Sequence, residues 1–271
     1  MSEIPIERPK SFVEFVTLID ECQSDASEAL WYRGCGLSTH KLLPTLYRHK
    51  TIKTIAKLAE LEHDLMIRFR QRSIPFHGRS LDDDWDALFF MQHYRVPTRL
   101  LDWTENPFIA LYFALTAAPY RIDEDGKPEF TNSAAIWVLN PTIWNRHALK
   151  HQSFEGGVLA PGDEPLKGYK PTGDFRGMNN YPVALYGSHN SPRIVAQRGV
   201  FTVFGQKTQS MGYLYKAHAF PKGSLTKFVL NSKHIAEMRK AIFKNGITES
   251  MVFPDLDGLA LEIRRTFEFE V

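Results

Sequence analysis

The chain reads as an α+β protein rather than a βαβ array, and three features of the pattern predict this. Helical periodicity dominates the first half, whereas short apolar runs suited to strands dominate the second. Strands and helices do not alternate as a βαβ array requires. No internal repeat, low-complexity segment or shift of composition divides the chain, so one domain is expected over 1–271, with a helical lead-in at 1–28 and a core at 29–265.

The elements follow in order. Ser11 with Glu14 three residues on fits a capping box, opening a helix that runs to about Gln23. Leu30 to Arg33 is strand-like, and Gly34 and Gly36 allow the backbone to turn or a ligand to come close. An arginine ending an apolar strand needs a carboxylate or a phosphate, because a lone buried charge is costly. Residues 51–72 predict a long helix with Ile52, Ile55, Leu58, Ala59, Leu65, Met66 and Phe69 on its buried face and mixed charge on a solvated one. Residues 120–131 read as a surface loop, 134–139 as a strand, and Pro141 starts a short helix. The stretch near 153–187, full of glycine and proline, reads as a long loop, either a mobile binding element or a poorly ordered connection. Residues 193–204 predict two short strands with Gln197 and Gly199 at a bend or bulge, and 227–230 another strand. A helix over 232–244 stops at Asn245-Gly246, and a last helix to about Arg265 takes Asp255 or Asp257 as its cap.

The segment 92–114, QHYRVPTRLLDWTENPFIALYFA, gathers more polar residues of chemical interest against an apolar frame than any other. A helix over 83–94 delivers Gln92 and His93 at its end, and Val96-Pro97 breaks it. A strand-like run follows with Arg99, Asp102 and Thr104 as its polar members. Asn106-Pro107 then reads as an N-cap and first residue of a helix apolar nearly all round, hence buried. Read structurally, Asp102 and Thr104 cap that helix and Arg99 partners Asp102; their concentration in one segment points instead to a site.

Composition excludes other classes. With 43% hydrophobic and 24% charged residues the chain can bury a sizeable core, and a net charge of +2 exerts no global pull toward nucleic acid or membrane. No apolar run is long enough to span a bilayer and the first residues lack a signal peptide's pattern, so a cytoplasmic location without membrane association is expected. Cys22 and Cys35 lack zinc-binding spacing, and no metal is expected; Cys35 draws notice only by following Arg33-Gly34. No His-Glu-x-x-His, Walker loop or dinucleotide glycine fingerprint is present.

Trp31-Tyr32-Arg33-Gly34, the 92–114 segment, RIVAQRGVFT and FPDLDGLA resemble, in this order, the motifs of the FRG-domain family of bacterial and phage proteins. Aromatic-Arg-Gly on a first strand is also similar to the opening motif of arginine-class ADP-ribosyltransferases, in which a Ser-Thr-Ser segment leads into Asn-Pro and Ala-x-x-Phe-Ala. Asp102 and Thr104 then occupy the two serine positions, and Gln197 stands where that class carries a catalytic glutamate. This resemblance implies a split, mostly antiparallel sheet of ADP-ribosyltransferase type and NAD as substrate. It implies Arg33, Asp102, Thr104 and Gln197 as catalytic residues, with Asp102 or Asp255 supplying the carboxylate near the ribose. Gly34 and Arg99 would then contact NAD, Tyr32, Trp103 or Tyr112 would stack on nicotinamide, and Gln92 and His93 are further candidates.

On this reading the protein modifies a nucleic-acid base or a protein, as a toxin or phage-defence effector, with an antitoxin or defence-system partner. Arg68, Arg70, Arg72 and Arg79, with Arg95 and Arg99, could form a local patch for DNA or RNA. The alternatives are a non-catalytic domain that recognises a nucleotide or modified base, which Gln197 favours, and a nuclease using Asp82, Asp83, Asp84, Asp86, Asp102, Asp255 and Asp257 for Mg²⁺.

Overall fold

The computed structural model describes residues 3–26, 28–78, 80–171, 175–188 and 192–269. Its strands are β1 (Ile6–Glu7), β2 (Trp31–Cys35), β3 (Leu100–Thr104), β4 (Tyr120–Ile122), β5 (Pro128–Phe130), β6 (Ala134–Leu139), β7 (Val183–Leu185), β8 (Gly199–Val203) and β9 (Leu225–Leu230). The helices are α1 (Phe12–Ser24), α2 (Ile55–His77), α3 (Asp84–His93), α4 (Pro107–Thr116), α5 (Pro141–Ala148), α6 (Pro192–Ala196), α7 (Met211–Ala217), α8 (Ser232–Lys244), α9 (Glu249–Val252) and α10 (Leu256–Thr266). Seven strands form one sheet in the order β1-β9-β6-β2-β3-β8-β7, antiparallel at every pairing except β1 with β9. The α+β class and the mostly antiparallel sheet agree with the sequence reading. Among the described residues no helix is long and apolar enough to cross a membrane.

Alternation along the strands gives the sheet two apolar faces. Tyr32, Ile136, Val138 and Phe228 point into one core with α1, α4 and α8, while Trp31, Trp137, Leu139 and Phe201 point into another with α2, α3, α5 and α7. Helix α4 lies directly on β2, and this contact fixes the role of two glycines. A Cβ at Gly34 would stand 1.9 Å from the Ala110 carbonyl oxygen, and one at Gly36 2.0 Å from that of Ala117. Gly34, expected to let the backbone turn or a ligand approach, admits a helix and also borders the cleft described below. Gly34→Ala should therefore lower stability by about 1–3 kcal/mol or more through overpacking, read as a lower urea midpoint; full stability with lost ligand binding would contradict this role.

Caps explain most helix boundaries. Ser11, Asp83, Asn106, Asn140, Asn231 and Asp255 each accept a backbone N–H in the first turn of the helix they precede. At α1 the capping box is altered: Glu14 accepts from the Lys10 amide at 2.8 Å rather than from that of Ser11.

Three expectations need correction. Residues 120–131 are not a plain loop but a hairpin, β4 with β5, turning through Gly126 at φ 76°. The 153–187 stretch is packed rather than loose in its described part, which omits residues 172–174. Leu159, Leu166, Tyr169 and Met178 are buried, β7 joins the sheet, Asn145 bonds the Ala184 amide and carbonyl, and Trp144 Nε1 donates to the Pro182 carbonyl. Residues 193–196, predicted as strand, form α6; a short apolar run does not distinguish the two, and Pro192 at the first helical position decides it.

Candidate functional site

The sheet opens between β2 and β3. Their ladder pairs Tyr32 with Thr104 and goes no further, whereas β3 pairs with β8 over all five residues. Beyond that pair Arg33 spans the gap: its Nη1 donates to the Asp102 carbonyl oxygen at 2.5 Å and lies 3.7 Å from the Asp102 carboxylate. Gln92, brought to the same point by the end of α3, donates its amide to Asp102 Oδ2 at 2.8 Å and accepts from the Thr98 hydroxyl. Asp102 is thus oriented from two sides while its side chain stays 55% exposed.

A cleft of about 370 Å³ opens there, within the usual range for small-molecule sites. Arg33, Arg95 and Arg193 line it, together with Gln92, His93, Asp102, Thr104 and Gln197. Three guanidiniums facing one carboxylate make it cationic. Burial and the neighbouring charge of Arg95 lower the Arg193 pKa, against the pull of Asp102 and Asp255; the Arg193 guanidinium also lies 4.6 Å from the Phe253 ring centre. Burial, then Arg193, pushes His93 below the ordinary histidine value, with Asp102 opposing. Its ring stands edge-on to Tyr94 and lines the cleft.

Four expected site residues lie elsewhere or are occupied. Arg99 is buried beneath the sheet, where its Nε donates to Glu62 at 2.6 Å and its Nη2 pairs with the same carboxylate. It cannot contact a ligand in the cleft, and it is withdrawn from the proposed basic patch. Tyr112 lies on the far side of α4, edge-on to Phe113, Phe243 and Phe253. Trp103 lines the cleft, but its Nε1 donates to Thr202 at 3.1 Å and the ring is core. Tyr32 also borders the cleft, but its side chain is buried and its hydroxyl accepts from Gln23 at 3.1 Å. These corrections leave no stacking ring from the expected set exposed in the cleft.

Thr104 and Gln197 hold the wall together. The Thr104 hydroxyl donates to the Gln197 carbonyl at 2.6 Å and accepts from Asn106 N–H, while the Gln197 amide donates to the Val252 carbonyl at 3.0 Å. Gln197 follows α6 in a turn just ahead of β8, at the bend expected there. Asp255 caps α10 through the Gly258 amide and borders a second, open hollow that shares His93, Arg95 and Arg193 with the first.

The other acidic residues are dispersed in caps and pairs. Asp83 caps α3, Asp84 pairs with Arg70 at 2.9 Å, Asp82 accepts from Ser80 and Asp86 from Ser188. Among the described residues no group of three or more His, Cys, Asp and Glu could hold a metal ion. Arg79, one of the basic-patch residues, lies outside the described residues. Burial raises the pKa of the Cys35 thiol and keeps it protonated.

The sequence reading passed over Glu62 and Arg193 as site or support residues and placed Arg95 only in the basic patch. Glu62 falls in the buried stripe of α2, four positions after Leu58 and four before Met66, and a carboxylate there was the signal of a buried partner. Arg193 stands in the third motif, but its helix was read as a strand. Residues 28–121 match the family model described as FRG domain. No curated protein and no solved structure matches the chain.

Proposed function

We propose that this chain, a member of the FRG-domain family through residues 28–121, is an ADP-ribosyltransferase-like enzyme that cleaves NAD and acts in the cytoplasm as a toxin or defence effector. The observation that carries the reading is the single carboxylate, Asp102, oriented by Gln92 and Arg33 in a cleft otherwise lined by guanidiniums. Breaking the nicotinamide–ribose bond builds positive charge at the sugar carbon, and a fixed carboxylate there stabilises it. Arg33 and its neighbours suit the diphosphate, since charge-assisted arginine contacts contribute about 1.5–3 kcal/mol each. Asp102 replaces the expected glutamate, because the Gln197 amide is committed to Val252.

His93 is the group suited to take the acceptor's proton as the new bond to the sugar carbon forms and nicotinamide departs with the bonding pair. Its pKa lies below the ordinary value, so turnover should stay level from high pH down to about 6.5 and fall only below that as the imidazole protonates. The same sign holds for stability: the depressed folded pKa favours the native state above the unfolded value, and this contribution fades as pH drops. His93→Gln should flatten the acidic limb of the rate profile, whereas an unchanged limb would assign it to another group.

A second reading, a non-catalytic domain for a nucleotide or modified base, is favoured by that same commitment of Gln197. Nicotinamide release from NAD, with Arg33→Ala as the blank, separates the two. Release that requires Arg33 and survives EDTA is expected. Its absence from folded protein with DNA, RNA and lysate present would favour the binding domain, and EDTA-sensitive cleavage of the added DNA or RNA would favour the nuclease.

A further inference from the structure

Beyond His93 the cleft continues into the open second hollow, whose lining includes Tyr94, Arg95, Arg193 and Asp255. Tyr94 is 59% exposed, and its ring is braced edge-on by Phe90 at 4.9 Å and His93 at 4.8 Å. An exposed, braced aromatic beside two arginines is the pattern on which single-stranded nucleic acid stacks its bases and lays its phosphates.

The backbone adds an independent observation. Helix α3 ends in a Schellman motif: the Val96 amide donates to the Met91 carbonyl and the Arg95 amide to that of Gln92. Glycine usually fills the left-handed position of this motif, yet here it holds Arg95 at φ 61°. A conformation unfavourable to any side chain is retained at a residue whose side chain lines both arms of the cleft.

We propose that this second arm is the acceptor site and that it takes single-stranded nucleic acid, with a base on Tyr94 and backbone phosphates on Arg95 and Arg193. The proposal rests on the transferase reading for the word acceptor, though not for binding itself. Asp255 at the rim opposes phosphate on its own side and leaves the two arginines to set the strand's path.

Fluorescence anisotropy with labelled ten-residue oligo-U and oligo-dT tests it without NAD. Tyr94→Ala should weaken binding by about 5-fold to 150-fold, the range for loss of one stacked base. Arg193→Ala and Arg95→Gly should each lower the slope of log affinity against log salt by about 0.7. Arg95→Gly suits its backbone position, so its urea midpoint should not fall, and lost binding would then report the side chain. Affinity unchanged in all three variants would overturn the proposal, as would equal binding of polyglutamate that ignores Tyr94, which would point to a protein acceptor. NAD turnover without oligonucleotide binding retires this arm alone; oligonucleotide binding without turnover retires the transferase reading alone.

Discussion

Replacing Glu62 by glutamine is expected to destabilise the protein by about 3–5 kcal/mol, the usual cost of removing one partner from a buried ion pair. Glu62 and Arg99 are 1% and 2% exposed, and Arg99 also reaches Met178 Sδ at 3.2 Å. Burial alone would push the Arg99 guanidinium down; the Glu62 carboxylate more than offsets it and holds the pKa above its ordinary value. With total stabilities typically about 5–15 kcal/mol, such a loss is a large fraction of the whole. The pair fixes the chain one residue ahead of β3, so the strand that presents Asp102 depends on it. The double replacement Glu62→Leu with Arg99→Met should recover most of the loss. A residue of about 1–3 kcal/mol would remain from the Arg99 amide, which now donates to Glu62 at 3.2 Å. Urea unfolding of the three variants checks this. A single variant as stable as the wild type would show that the cluster already tolerates a neutral partner.

Asp102→Asn is expected to have the opposite profile, with a large loss of rate and little loss of stability. The side chain is half exposed and its partners are polar, so the fold does not rest on it. Asparagine keeps an oxygen for the Gln92 amide and removes only the charge. Loss of one electrostatic stabiliser costs about 100-fold to 1,000-fold in rate in other enzymes, and that range is expected for nicotinamide release. A drop of less than about tenfold with full stability, equivalent to under about 1.4 kcal/mol of barrier, would move the charge-stabilising role elsewhere in the cleft.

Local chemistry made part of this legible. The helix that delivers Gln92 and His93, the Asn106 cap, Pro107 at the first helical position and the buried α4 all follow from periodicity and capping, signals contained within a dozen residues. Residues of the polar 92–114 segment supply one wall of the cleft. What the sequence hid depends on contacts far along the chain. Glu62 meets Arg99 across 37 positions, and Thr104 meets Gln197 across 93. Tyr112 shows the limit of a motif: its place in Ala-x-x-Phe-Ala suggested a stacking ring, but an apolar helix has a second side, and α8 claims it. The short ladder between β2 and β3 was not legible, because register between strands separated by some 65 residues leaves no local trace.

The central claim is that the arginine-lined cleft binds NAD and breaks its nicotinamide bond. Calorimetric titration with NAD and chromatographic measurement of released nicotinamide, on one preparation of the wild-type protein, test both halves together. Binding accompanied by release is the predicted result. Binding without release, with added oligonucleotide and lysate, would contradict the claim and make the cleft a recognition site.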